Sequence, residues 1–226
     1  MPCLVVVGSG PGIGTHVARK FALSGFDRIA LLARSPLQLD EDKDSVTAAA
    51  AAENAKVHVG TYAIDITNSV QLLDVLDQVA CELGPPDAVF FNAARVKSST
   101  LLEADDEEIL YDFKVALPFT LHESEGQEKA KASKPSLLVT SSHLTSTPEP
   151  DVFVLSLAKA AQRNLVESLA QVFRPRGVHV GLVVVTGPVA PENKVLSPKN
   201  IADETWALYS QEEKDWTLDV VLKEPR

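Results

Sequence analysis

Cysteine and methionine are nearly missing from this 226-residue chain, which holds two of the first and one of the second. Two cysteines cannot build a disulfide framework, and Cys3 and Cys81, each inside an apolar stretch, read as buried thiols of a reducing compartment. Aromatic residues make up only 6%, and no apolar run approaches the roughly 20 residues that cross a bilayer. The chain enters Leu4-Val5-Val6-Val7 almost at once with no basic segment before it, so no signal peptide is expected. Basic residues are also in deficit, 21 against 31 acidic, for a net charge of −10. That balance argues against nucleic acid or an anionic membrane as partner, since both are held by neutralising phosphates. His16, His58, His122 and His179 stand without carboxylates at ligand spacing, so no metal is expected. The reading is a soluble, cytoplasmic protein, long enough for one sizeable core.

What is present is alternation. Short β-branched runs at residues 4–7, 29–33, 56–63, 88–91, 137–140, 178–185 and 217–222 read as strands. Between them lie helix-period segments at 14–24, 39–54, 70–83, 103–123, 153–173 and 201–210. The polar stretch to Lys134 reads as an exposed loop, and the alanine-rich segment 39–54 as a surface helix. Trp206 and Trp216 read as packing for the last helix and strand. No repeat or composition break marks a second domain. Residues 1–226 are therefore expected to form one α/β domain, a Rossmann-type doubly wound parallel β-sheet of about seven strands with helices on both faces.

The first turn reads Gly8-Ser9-Gly10-Pro11-Gly12-Ile13-Gly14. Glycines between a buried strand and a helix let the backbone turn sharply and approach a pyrophosphate, which the helix N-terminus attracts. The turn follows the first strand, as that mechanism demands, so a nucleotide site is expected. The second strand ends Ala33-Arg34-Ser35. A carboxylate there would take the ribose 2′-hydroxyl of NAD, whereas Arg34 and Ser35 suit a 2′-phosphate, which favours NADP(H) over NAD(H).

Taken in order, these pieces resemble the short-chain dehydrogenase/reductase family over nearly the whole chain. The glycine turn looks like the family's T-G-x-x-x-G-I-G loop. Asp65-Ile66 resembles the acidic residue that meets adenine, Asn92-Ala93-Ala94 the N-A-G element, and Thr186-Gly187-Pro188 the turn after the sixth strand. The resemblance implies cofactor contacts at Gly8, Ser9, Gly10, Gly12, Ile13, Gly14, Arg34, Ser35, Asp65, Ile66, Asn92, Ala93, Ala94, Lys159, Gly187 and Val189. It also implies a Y-x-x-x-K helix, a serine thirteen residues before the tyrosine, and an asparagine anchoring a water relay. Lys159 matches the lysine and Ser142 the serine. Leu155 stands in the tyrosine's place and Lys114 in the asparagine's.

Leucine carries no titratable proton, and losing a positioned acid costs on the order of 10²–10⁴ in rate. Ordinary ketone reduction by the family's route is therefore not expected. Hydride transfer to an already cationic carbon, such as an iminium, would need no such acid. A proton from His143 or from Lys114 would also serve. The alternatives are a non-redox isomerase or cyclase and a cofactor-binding pseudoenzyme. The segment from Pro188 to about Asn200 is a short lid, which suits an open pocket. The substrate stays unnamed, and the two long helices suit a homodimer.

Overall fold

The computed structural model describes residues 1–102, 104–117 and 135–224. Seven strands lie in one parallel sheet: β1 (Cys3–Val7), β2 (Arg28–Ala33), β3 (His58–Ala63), β4 (Ala88–Phe91), β5 (Ser136–Ser142), β6 (His179–Val185) and β7 (Asp219–Leu222). Their order is β3-β2-β1-β4-β5-β6-β7, so the direction of winding reverses between β1 and β4. Six helices fill the crossovers: α1 (Ile13–Leu23), α2 (Pro36–Ala52), α3 (Ser69–Leu83), α4 (Asp106–Ala116), α5 (Phe153–Phe173) and α6 (Pro198–Tyr209).

Side chains alternate across a pleated strand, and β1 feeds both faces accordingly. Leu4 and Val6 join Phe21, Phe26, Leu138 and Leu208 under α1 and α6. Cys3, Val5 and Val7 join Leu72, Val79, Val166 and Leu169 under α3 and α5. Every residue of β1 and β6 is buried, which is why these strands read as unbroken apolar runs. Each fully buried Leu, Ile or Phe contributes about 1.5–3 kcal/mol. Phe21 meets Trp206 edge-on with ring centroids 5.0 Å apart, and Trp216 stacks on His179 at 4.8 Å. Both tryptophans pack the C-terminal elements.

The helix over 153–173 has the bounds its periodicity predicts. Others shift for identifiable reasons. Helix α2 begins at Pro36, because the Ser35 side chain accepts from Gln38 N and proline suits the first turn. It is also less superficial than its composition suggests, since Leu39, Asp42, Val46 and Ala50 are buried on one face. Helix α4 begins at Asp106, capped by Asp105. It ends at Ala116, with Leu117 as its C-cap; Glu103 and residues 118–134, with His122 and the loop to Lys134, lie outside the described residues. Cys81 is a correction: Cys3 is buried, but Cys81 is exposed. It lies on α3 between the inward Val79 and Leu83, and the helical period turns it outward. Among the described residues no helix is long and apolar enough to cross a membrane.

Candidate functional site

At the C-terminal edge of the sheet, where the winding reverses, the ends of β1, β2, β3 and β4 enclose a cleft of about 320 Å³. Open α/β sheets bind ligands at such switch points, because the crossovers to either side leave a crevice there. Gly8, Ser9, Arg34, Ser35, Asp65, Ile66, Asn92, Ala93 and Ala94 line it together. The topology thus gathers residues that are up to 86 positions apart in sequence.

The glycines of the first turn divide into two kinds. Gly8 has φ +92°, and a Cβ there would stand 2.5 Å from Ala93 N. A Cβ on Gly14 would stand 2.8 Å from Gly8 O. These two let backbone pack on backbone. Gly10 and Gly12 have nothing within 4 Å of an added Cβ, so they border open space and leave room for a ligand beside the helix N-terminus. Ile13 is the first residue of α1, which has no side-chain cap at its start. Gly8 N and Ser9 N both donate to Leu32 O at 2.9 Å, and Thr15 N donates to Gly10 O at 3.1 Å. Ser9 Oγ donates to the buried Asp42 carboxylate at 2.6 Å, which Gln38 also grips.

Asn92 works as a strut. Its Nδ2 donates to Gly8 O at 3.1 Å and its Oδ1 accepts from Thr140 Oγ1 at 2.8 Å, which locks the first turn to β5. Asp65, which lines the cleft, accepts at Oδ1 from both the backbone and hydroxyl of Thr67. Arg34 Nη1 donates to Tyr111 Oη at 3.4 Å. Tyr111 and Arg95 line the same cleft, and the Arg95 guanidinium lies 5.2 Å from the Tyr111 ring centroid. Arg95 is itself paired with Asp112 and Glu108. Neither Tyr111 nor Arg95 carries a sequence signal beyond Arg95 following the Asn92-Ala93-Ala94 element.

Lys159 is buried on α5, 5% exposed. Its Nζ donates to Thr140 O at 2.8 Å and to Gln162 Oε1 at 2.9 Å. Burial without a facing carboxylate lowers its pKa to about 8. Leu155 lies beside it in a small void shared with Ala93, Ala94, Asp112 and Ala116. Ser142 ends β5, and its Oγ accepts from Leu144 N at 3.3 Å, capping a short 3-10 turn.

A second, larger cavity of about 760 Å³ opens at the ends of β5, β6 and β7, with His143, Thr147, Arg163, Gly187, Pro188 and Lys223 in its wall. His143 Nε2 meets Glu149 Oε1 at 2.7 Å, and its Nδ1 is buried without a partner. The ring is thus held at one edge by Glu149, while its other nitrogen is buried and unpaired. Lys114 is exposed on α4, where Tyr111, Asp112, Val115 and Ala116 are the inward residues. Val189 lies at the surface, 37% exposed. The short segment after β6 is tied down: Asn193 Oδ1 accepts from Val195 N and Leu196 N at 2.8 Å, and its Nδ2 donates to Glu224 at 2.7 Å. Tyr62 donates to Glu82 and Tyr209 packs on Phe21 and Phe26. Among the described residues no three His, Cys, Asp or Glu side chains form a metal-binding group.

The profile of the short chain dehydrogenases matches residues 2–200. The chain belongs to the short-chain dehydrogenase family. Among curated members, this family chain is 26% identical over 176 residues to the L-2,3-butanediol dehydrogenase of Corynebacterium glutamicum, covering 76% of its own length and 66% of that enzyme's. It superposes with a TM-score of 0.79 on an NADPH-bound short chain oxidoreductase of Pseudomonas aeruginosa PAO1 described as containing an atypical catalytic center, at 21% identity over 97% and 95% of the two chains. An alcohol dehydrogenase of the archaeon Thermococcus sibiricus, complexed with 5-hydroxy-NADP, superposes at 0.81 with 21% identity over 100% and 99%. The fold is thereby that of the family's solved members.

Proposed function

We propose that the protein is an NADP(H)-dependent oxidoreductase that exchanges hydride with a small organic substrate without a tyrosine acid. The observation that carries this reading is the switch-point cleft, lined by Gly8 and Ser9 of the first turn, with open space around the next glycines of that turn, Gly10 and Gly12, at the start of α1. In this reading their backbone and the free N–H groups of α1 receive the pyrophosphate. Asp65 Oδ2 accepts from the adenine amino group. Arg34 and Ser35 hold the 2′-phosphate, and no carboxylate at Ala33 competes for the ribose. The phosphorylated nucleotide bound by two relatives of the same fold supports that preference. Lys159 holds the nicotinamide ribose. The cofactor, when bound, supplies or accepts the hydride.

The larger cavity receives the substrate, with the Ser142 hydroxyl available to orient a polar atom at its edge. Leu155 offers no proton, and the His143 ring is committed to Glu149. This suits an acceptor that needs no proton at the moment of transfer, such as an iminium carbon. A homodimer belongs to the same proposal, since Leu110 on α4 and Leu157 on α5 stay 60% and 38% exposed; size-exclusion chromatography with light scattering reads it. The function is tested by fluorescence titration of the purified protein with NADPH and NADH in parallel. Tighter binding of NADPH than of NADH, with that preference removed by Arg34→Ala, is the expected result. No binding of either nucleotide at millimolar concentration would sink the reading.

A further inference from the structure

Helix α5 carries a second polar residue buried as deeply as Lys159. Gln162 has 0% exposure, and both ends of its amide are engaged, one within α5 and one across to α4. Its Oε1 accepts from Lys159 Nζ at 2.9 Å, while its Nε2 donates to Ala116 O at 2.8 Å, at the C-terminus of α4. A glutamine in an apolar interior costs free energy unless its bonds are made. Here both bonds converge on one purpose: the amide joins the lysine to a fixed backbone carbonyl on another helix.

An ammonium has three N–H donors. Thr140 O and Gln162 Oε1 take two of them. One donor is left over, and Lys159 borders the void that it shares with Ala93, Ala94 and Leu155, of which Ala93 and Ala94 also line the nucleotide cleft. The charged groups around this void are Arg95 and Asp112, which are paired with each other. Neither bonds to Lys159, so the lysine's surroundings are set by neutral partners.

We propose that Gln162 is a positioning residue, whose amide ties Lys159 to α4 and so directs the remaining ammonium N–H at the nucleotide. This rests on the reading of the cleft as a nucleotide site. In this arrangement Gln162 and Thr140 also hold the lysine in its charged form against the cost of burial. An acceptor removed from beside the ammonium lowers its pKa, and a carboxylate put there raises it.

Two variants of nearly equal volume separate this role from simple packing. Gln162→Met removes both bonds, and Gln162→Glu places an acid beside Nζ. The first experiment follows the Lys159 side chain by NMR in protein labelled on lysine, without nucleotide, with Lys159→Arg for assignment. The wild-type midpoint lies near 8, and the two variants are expected to move it in opposite directions, each by about one unit. Midpoints within about 0.3 unit of wild type in the folded variants would overturn the proposal. If one variant does not fold by circular dichroism, the direction of shift in the other decides.

The second experiment titrates NADPH by fluorescence between pH 7 and pH 10. Affinity is expected to weaken above the Lys159 midpoint, and the pH of that weakening to follow the NMR midpoint in each variant. Shifted midpoints with an unmoved binding profile would overturn the link to the nucleotide. Absence of NADPH binding in wild type would instead remove the functional reading, while the nucleotide-free titration still decides whether Gln162 sets the state of Lys159.

Discussion

The switch-point cleft, here the adenosine end, and the void and cavity around Lys159 and His143, here the reaction end, are built on different terms. At the adenosine end, glycines and strand termini leave space and free donors. Gly10 and Gly12 border open volume, α1 begins without a side-chain cap, and Asp65 keeps one oxygen unspent. At the reaction end, polar side chains are spent on one another. Lys159 is bound to Thr140 and Gln162, His143 to Glu149, and Arg163 to Asp219. Leu155 lies beside Lys159 in the small void. Under the proposed function, binding a nucleotide requires unsatisfied groups at fixed places, which the first end supplies. Delivering a proton would require a titratable group facing the substrate, and leucine at 155 is none.

The largest effect should come from breaking the packing beneath the adenosine end. Gly8→Val combines positive φ with a clash against the Ala93 backbone, and is expected to cost about 3 kcal/mol or more. Thermal unfolding should fall by about 6–12 °C or the protein should fail to fold. Gly10→Ala, facing open space, should keep its melting temperature and lose nucleotide affinity instead. Equal stability losses at both positions would erase the distinction between packing and ligand-facing glycines.

The second effect lies at the reaction end and is a pH dependence. The folded-state pKa of Lys159, about 8, is below its ordinary 10.5. The unfolded chain therefore binds more protons between these values, and stability from this group rises with pH across that window. Below pH 8 the buried ammonium carries a penalty on the order of 3 kcal/mol. Lys159→Met should be more stable than wild type at pH 7, with the gap closing toward pH 10.5. A gap that does not change with pH would show that packing, not charge, sets the difference.

Third, Leu155→Tyr should return an acid to the reaction end. With NADPH and a panel of small ketones and diketones, turnover is expected to rise on the order of 10²-fold over wild type. No gain in a variant that binds NADPH normally would mean that more than the tyrosine separates the two ends. The smallest effect concerns discrimination. Arg34→Ala should weaken NADPH by about tenfold, the loss of one charge-assisted contact of about 1.5 kcal/mol. NADH affinity should hardly move, and parallel weakening of both would assign Arg34 to the wall of the cleft alone.

Much of this was legible before the chain was seen folded. The β1 run, the glycine turn and the α5 period have local causes: unbroken apolar character, freedom at φ and a single inward stripe. Cys81 was misjudged because an apolar neighbourhood in sequence does not say which face of α3 a residue takes. Lys114 was placed by a motif match, yet helix phase turns it outward and Tyr111 and Val115 inward. His143 is a candidate proton source by residue type alone, and Glu149, six residues away, meets it only through the turn after β5.

Local chemistry alone therefore determines the family, the strand–helix alternation and the position of the glycine turn. Each of these follows from residue type and spacing within a few turns of chain. Tertiary structure alone decided which groups are free to act. Asn92 became a strut, Gln162 met Lys159 and Ala116, and Tyr111 reached Arg34 because packing brought distant elements together. Whether a polar group can bind a ligand depends on which partners have already satisfied it, and those partners are set by the fold.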